Sequence, residues 1–448
     1  MASDLLSIGR SGAMAARIAL DVTAQNIANA SSDGYVRRSV RLEEVSSSGG
    51  IGTIGDVSLS GVRLDSVVRN ADLFRQAEVR RTGADAARAD AEVAGLENIE
   101  SAVEQSGVYD AMVAFEGSLQ QLVGDPTSSS LRANVIEDAR TMAGTFNIAA
   151  SALDSVGTGL RFEATDGVTQ VNTLAQELAR VNLRLARAAD STSDQTALLD
   201  QRDSLLQQLS AYTDVATTIN STDGTVVVRV GGASGEKLVE GGSAYALGMT
   251  TASDGTISFD VAGTAASLSG GSLAGKALAL TKLADVHSKL DALAETMMST
   301  VNSAQGSGAA LDGSTGQAMF SGVGGGAAGI TLALTDGAGI AVAAAGSAAN
   351  SRDTANLTAL RSALSANDPT AGMDALLFDI SSTVAGRTVT RNALDTIAST
   401  ARVSLAAQAG VDLDTEATNL IRYQQAFQAS GKVMQAAKDI IDTLLGIG

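Results

Sequence analysis

The chain has 448 residues, 31 Lys and Arg against 49 Asp and Glu, and a formal net charge of −18. That balance, with no basic stripe to release phosphate counterions, argues against nucleic acid and anionic membrane as partners, and the absence of cysteine excludes disulfides and thiolate chemistry while saying nothing of compartment. With 47 Gly, 2 Pro, no Trp and 3% aromatic residues, the expected cores are light and Ala-rich, spread over about two to four domains.

From the first residues, Leu5, Ile8, Gly12, Ala15, Ala19, Val22, Asn26 and Asn29 alternate by three and four, and Leu6, Ala13, Leu20 and Ile27 repeat every seventh residue beside them. This predicts an amphipathic helix. Asp4, Arg10, Arg17 and Asp21 interrupt the opening stretch, so no cleavable leader is expected, and no apolar run reaches the length of a membrane span. The polar face lacks the Lys and aromatic anchors of an interfacial helix, which disfavours the membrane-surface reading. Read on these grounds alone, the chain belongs in the cytoplasm.

From Ser39 to Asn70 the pattern shortens to alternating runs, Val40, Leu42 and Val45, then Val57, Leu59, Val62, Leu64 and Val67, on either side of SSSGG. These predict an extended connector with a hairpin. Helical periodicity returns over Ala77–Gly107, Val108–Val123, Leu131–Ser155, Val168–Ala188 and Ser193–Tyr212. Asp125-Pro126 ends one helix, and Thr127–Ser130 offer a cap to the next. Val215–Val230 predicts a hairpin turning at Asp223-Gly224, and a second follows at Asp254-Gly255. Leu273–Ser303 is helical, Gly306–Ser347 is Gly/Ala-rich with a strand at Ile330–Leu334, and Arg352–Gln408 is helical with a break at Asn367–Pro369.

The closing stretch from Val411 carries Leu413, Ala417, Leu420, Gln424, Phe427, Gly431, Met434, Lys438, Ile441 and Leu445 at a period near 3.5. Ile421, Val433, Ile440 and Leu444 widen the apolar surface beyond what one partner helix covers. The fold class is therefore mainly α with an inserted β domain: terminal helices forming an antiparallel coiled coil, a long helical stalk and a small β-rich outer domain. The expected domains are 1–38 with 408–448 for the coiled coil; 39–212, 273–305 and 348–407 for the stalk; and 213–272 with 306–347 for the outer domain.

The run QNIANASSDGYVRR resembles the signature that follows the first helix in axial proteins of the bacterial flagellum, N-x-x-N-x-x-T-P-G-Y. Asn26, Asn29, Gly34 and Tyr35 match it, while Ser32 and Asp33 replace Thr-Pro. The closing NLIRYQQAFQAS is similar to that family's last helix. The resemblance implies a structural subunit at the junction of hook and filament, exported through the flagellar type III channel without a cleaved leader. It also implies as partners a ring of sister copies, the hook protein, the second junction protein (hook-associated protein 3) and an export chaperone on the C-terminal helix. A further outer domain common in relatives is expected to be absent. Another axial protein, hook or distal rod, is the nearest alternative; an adhesin or an enzyme carried on the flagellum would need its chemistry in residues 213–350.

No such chemistry is legible. Gly324, Gly326 and Gly329 satisfy G-x-G-x-x-G, but a strand rather than a helix is expected to follow, so a loop is read in place of a pyrophosphate site. His287 is the sole histidine and reads as a helix-surface residue, not a base or a zinc ligand. The Asp-Gly pairs at 223, 254, 312 and 336 lack calcium-loop spacing and read as turns. No catalytic residue, cofactor or metal is expected. The interface residues expected are Leu6, Ala13, Leu20, Ile27, Leu413, Leu420, Phe427, Met434, Ile441 and Leu445, an ordinary domain core being the other reading. If the chain ends run antiparallel with their tips level, facing residue numbers sum to about 450, from the shared 1.5 Å rise. That pairs Ala19 with Gly431 and Val22 with Phe427. Both ends are expected to be loosely ordered in the free subunit and to fold on assembly.

Overall fold

A computed structural model of the chain describes residues 2–32, 34–46, 59–188 and 193–445. Asp33, the linker beyond Ser46 and Val57 lie outside the described residues, as do the side chains of Val45, Leu59, Leu444 and Leu445. In chain order, α1 (Ala2–Ala28) leads to an antiparallel pair, β1 (Arg38–Ser46) and β2 (Leu59–Arg69), with Arg38 opposite Arg69 and Val40 opposite Val67. Then come α2 (Leu73–Glu104), α3 (Val108–Gly124), α4 (Ser129–Leu185) and α5 (Ser193–Tyr212). A four-stranded sheet takes β3 (Val215–Ile219), β4 (Val226–Val230), β5 (Glu236–Glu240) and β6 (Ser243–Ala244) in sequence order, and a three-stranded one takes β7 (Leu247–Thr251), β8 (Ile257–Val261) and β9 (Thr264–Ala266).

After α6 (Gly271–Gly306), the Gly/Ala-rich stretch forms two small sheets, β10 (Gly308–Ala309) with β13 (Ala343–Ala344) and β11 (Phe320–Ser321) with β12 (Thr331–Leu332); α7 (Gly326–Gly329) lies between β11 and β12. The chain closes with α8 (Ala355–Asn367), α9 (Pro369–Ala409) and α10 (Leu413–Leu445). Proline opens α9, where a missing N–H costs nothing, and Asp368 caps it by accepting from Ala371 N–H at 3.0 Å. At α10, Asp412 Oδ1 accepts from the amides of Asp414 and Thr415.

The expected break between Ser155 and Val168 is absent. α4 runs unbroken for 57 residues. Its glycines weaken helix propensity without ending the helix, because no proline interrupts it, and Gly157 is small for a packing reason. A Cβ there would lie 2.8 Å from Leu283 Cδ2 of α6.

Two compact units divide the chain. One comprises Met1–Ala84, Val171–Leu247 and Asp395–Gly448; the other comprises Asp85–Gln170 and Gly248–Leu394. The β segment 215–244 thus belongs with the chain ends and the later strands with the second unit. The second unit holds a hydrophobic core built from α2, α3, α4, α6, α8 and α9 with residues of the Gly/Ala-rich stretch. Despite the low aromatic content, Phe115 and Phe320 meet edge to face there at 6.1 Å between ring centroids, with Met112, Met142 and Met297 fully buried nearby. Gly95 and Gly275 let α2 and α6 approach closely: a Cβ on Gly275 would stand 2.2 Å from the Arg88 carbonyl oxygen. The first unit is held by α1 along α10, by β1 and β2 against α1, and by a buried network of charge described next.

Candidate assembly interface

α1 and α10 pack antiparallel, as the closing of a chain on itself requires. A Cβ on Gly9 would lie 2.7 Å from Met434 Cγ, one on Gly12 would lie 2.8 Å from Ser430 Oγ, and Asn26 bonds Glu416. These facing pairs sum to 442 or 443, so the expected sum of about 450 is corrected by roughly one heptad. Nothing lies within 4 Å of a Cβ on Gly431, so Ala19 does not meet it. The reason is that the helices are aligned at their connector ends, Ala28 and Leu413, and not at the free tips.

The phase of the α10 seam also shifts. Glu416 and Ser430 face α1, and Tyr423 and Ala437 at the same spacing are half-buried and buried, where Ala417, Gln424, Gly431 and Lys438 were expected; Leu420, Met434 and Ile441, expected in the seam, are half-buried. Ala13 is buried and Leu20 half-buried, while Leu6, Ile27, Leu413 and Phe427 remain exposed. Along the described side chains of α10 only Glu416 and Ala437 are buried, and Leu413, Ile421, Phe427, Val433 and Ile440 are 38–56% exposed. α1 spends its small residues, Gly9, Ala13, Ala15, Ala16 and Ala19, on close approach and leaves Leu5, Leu6 and Met14 open. An apolar helix face so large, left in water, is the mark of an interaction surface.

Beneath this pair the matched motif folds into a buried hydrogen-bond network. Asn26 Nδ2 donates to the Arg38 carbonyl at 2.8 Å and to Glu416 Oε2 at 3.0 Å; its Oδ1 accepts from Arg38 N–H at 3.0 Å and from the Tyr35 hydroxyl at 2.9 Å. One amide side chain thereby ties α1, the connector and α10 together. Gly34, at φ +77°, supplies the left-handed turn that swings Tyr35 back onto Asn26. Asn29 plays a local part, donating from Nδ2 to the Gln25 carbonyl at 2.8 Å at the end of α1. Arg37 Nε bonds Glu416 Oε1 at 2.7 Å, and Arg38 lies over the Tyr35 ring. Burial pushes the Tyr35 hydroxyl up from its ordinary value, Arg38 opposing and Asp200 and Glu416 reinforcing.

The network continues as ion pairs. Arg38 reaches Asp200 at 2.9 Å, Arg69 reaches Asp200 at 2.7 Å and Asp203 at 2.9 Å, and Arg202 reaches Asp203 at 2.6 Å. Gln76 adds a 3.0 Å bond to Asp203. Burial alone would raise the Asp203 carboxyl, but Arg202 and Arg69 outweigh it and hold it below the usual carboxylate range. Buried charge persists here because it is paired and hydrogen-bonded. Sequence reading missed Arg37, Arg38, Arg69, Asp200, Arg202, Asp203 and Glu416. The available signal was Asn26: a polar residue at a seam position demands a buried partner, but periodicity does not say which.

The candidate chemistry resolves into structure. The glycine loop before α7 gives its amides to the chain's own carboxylates: Gly324 and Gly326 N–H bond Glu295 Oε1 at 2.5 and 3.2 Å, and Ala327 N–H bonds Asp291 Oδ1 at 2.8 Å. A short helix follows the loop, where a strand was expected directly, but its amides are taken. His287 is half-buried, with Nδ1 3.1 Å from Asp291 and Nε2 3.7 Å from Asp154. Each carboxylate of the four Asp-Gly pairs accepts the amide two residues on, at Thr225, Thr256, Ser314 and Ala338. Among the described residues no group of three His, Cys, Asp or Glu could hold a metal, and no helix is long and apolar enough to cross a membrane.

Comparison with known proteins gives the site a context. Residues 93–320 match the family described as flagellar hook-associated protein FlgK helical domain; residues 6–35 match the flagella basal body rod protein family and residues 406–447 the C-terminal family of flagellar basal body rod FlgEFG proteins. The chain is 26% identical to flagellar hook-associated protein 1 of Bacillus subtilis over 99% of this chain and 98% of that protein. It is 27% identical to flagellar hook-associated protein 1 of Salmonella typhimurium over 55% of this chain and 44% of that protein. A solved structure of the flagellar hook junction protein FlgK from Burkholderia pseudomallei aligns with a TM-score of 0.45 at 26% identity, covering 54% of this chain and 46% of that one.

Proposed function

The chain belongs to the flagellar hook-associated protein family defined by the FlgK helical domain, and from that membership we infer that it is a structural axial component of the bacterial flagellum at the junction between hook and filament. The observation that carries the mechanism is the open apolar surface of α10, which α1 covers along one side only. Leu413, Phe427 and Ile440 on α10, with Leu6, Leu20 and Ile27 on α1, are the surface that sister copies cover. Residues 1–38 and 408–448 are the assembly domain, and the Asn26–Glu416 network fastens α1 and α10 to the connector. Head-to-tail repetition of one such contact generates a ring or a helical array, and no reaction is required of the protein.

The finer partners follow from the same reading: the hook protein on one side, the second junction protein on the other, and an export chaperone that shields the α10 face before assembly. In a strain lacking the chain, hooks form but filament protein escapes unassembled into the medium and swimming stops. Restored swimming on expression of the full chain, but not of one truncated before Val411, supports the reading. Filaments that assemble normally without the chain overturn it.

A further inference from the structure

A cavity of about 340 Å³ opens beside the connector, within the first unit. At about 30 Å³ per water it has room for roughly ten waters. Val36 from the connector, Val79 from α2 and Leu405 and Ala406 from α9 form its apolar walls, and two guanidinium groups, Arg80 and Arg402, line it as well. Arg80 is 5% exposed, and among the described residues its one hydrogen bond goes to Thr217 Oγ1 at 3.3 Å. Arg402 is exposed and makes none among them. The carboxylate on the cavity wall, Asp203, is already taken by Arg69, Arg202 and Gln76. Among the described residues, Arg37, Arg38, Arg69, Arg80 and Arg202 face three carboxylates in this network, Asp200, Asp203 and Glu416. In a chain of net charge −18, guanidinium groups outnumber carboxylates in this network. Burial, with Arg202 adding to it, depresses the Arg80 guanidinium against the pull of Asp203, as expected of a cation short of anions.

We propose that this cavity is a carboxylate-binding site, and that its occupant is an acidic side chain of a second copy of the chain. The proposal rests on the assembly reading above and adds to it a specific polar contact at the connector, away from the open faces of the terminal helices. A guanidinium fork binds a carboxylate bidentately, as it does a phosphate. The apolar walls favour a carboxylate carried on a packed protein segment over a small hydrated anion, which would leave those walls wet. Each copy offers 49 acidic residues, and within an array they are presented at high effective concentration.

The test is sedimentation velocity of the full-length chain, comparing the wild type with Arg402→Gln, Arg402→Glu and Arg80→Met at low and at moderate salt, with circular dichroism to verify the fold. Arg402 is exposed, so its variants keep the monomer intact even if Arg80→Met does not. The expected result is self-association of the wild type that weakens about tenfold in Arg402→Glu and loses part of its salt dependence in Arg402→Gln. Wild type and both Arg402 variants associating equally would overturn the inference while leaving the assembly reading intact; a wild type that never associates would overturn both. A titration with inorganic phosphate that shifts the Arg402 resonances, with association unchanged by Arg402→Glu, would make the cavity a free-anion site and overturn the second copy as occupant.

Discussion

Asn26 and Glu416 stand 390 residues apart in the chain and are joined by a 3.0 Å hydrogen bond, with Glu416 only 1% exposed. Through this contact the first and last helices are fastened to each other and, by way of Arg37 and Arg38, to the connector that leads into the rest of the molecule. The contact sits at the connector end of the helix pair.

Replacing Glu416 by Ala takes one of two acceptors from the Asn26 amide and the carboxylate from the Arg37 guanidinium, and is expected to destabilise the docking of α10 by about 3 kcal/mol. Glu416→Gln keeps an acceptor for Asn26 and loses only the charged partner of Arg37, at about 1 to 2 kcal/mol. Proteolytic release of residues 411–448 ranks the two; equal susceptibility of Glu416→Ala and wild type would show the network to be idle.

The register of the helix pair is open to a covalent test, since the chain has no cysteine of its own. A Cβ on Gly12 would lie 3.7 Å from Ser430 Cβ, within the span of a disulfide. Gly12→Cys with Ser430→Cys closes under mild oxidation, whereas Ala19→Cys with Gly431→Cys stays reduced. The reverse pattern would restore the tip-to-tip alignment.

Glycine substitutions separate packing from propensity in α4. Gly157→Val collides with Leu283 and Arg161 and is expected to cost about 2 kcal/mol. Gly159, with nothing within 4 Å of its Cβ position, tolerates alanine and gains up to about 1 kcal/mol of helix propensity. Urea melts read both signs.

The Asp203 carboxyl, held below the unfolded value of about 3.9, stabilises the folded state fully above that pH, and its contribution disappears as pH falls through the lower folded value. Asp203→Asn takes the carboxylate from Arg202 and leaves Arg69 with Asp200 alone, so the first unit is weaker at pH 7 by about 3 kcal/mol. Its stability also falls less steeply than that of wild type between about pH 5 and pH 2. Parallel slopes in urea melts across that range would exclude this account.

In the free chain, amides of Leu420–Ile441 are expected to exchange rapidly, because one flank of α10 is held and the rest faces water. Strong protection in a verified monomer would contradict this; protection gained only on assembly would fit.

Much of this was written in the pattern of side chains. The heptads at both ends, the hairpin at Asp223-Gly224, the helix break at Asn367–Pro369 and the motif Asn26, Asn29, Gly34, Tyr35 are local signals, and periods of 2 and 3.5 or stiff turn residues decide them without help from distant parts of the chain. The phase and alignment of α10 and the Arg–Asp network were decided by contacts between residues far apart. Gly157 is small because Leu283 of α6 lies beside it, and Glu416 is enclosed by Asn26 and Arg37; none of these partners is a neighbour in sequence. Propensity is a property of neighbours in sequence, whereas close approach and charge compensation depend on partners that only the folded chain brings within reach.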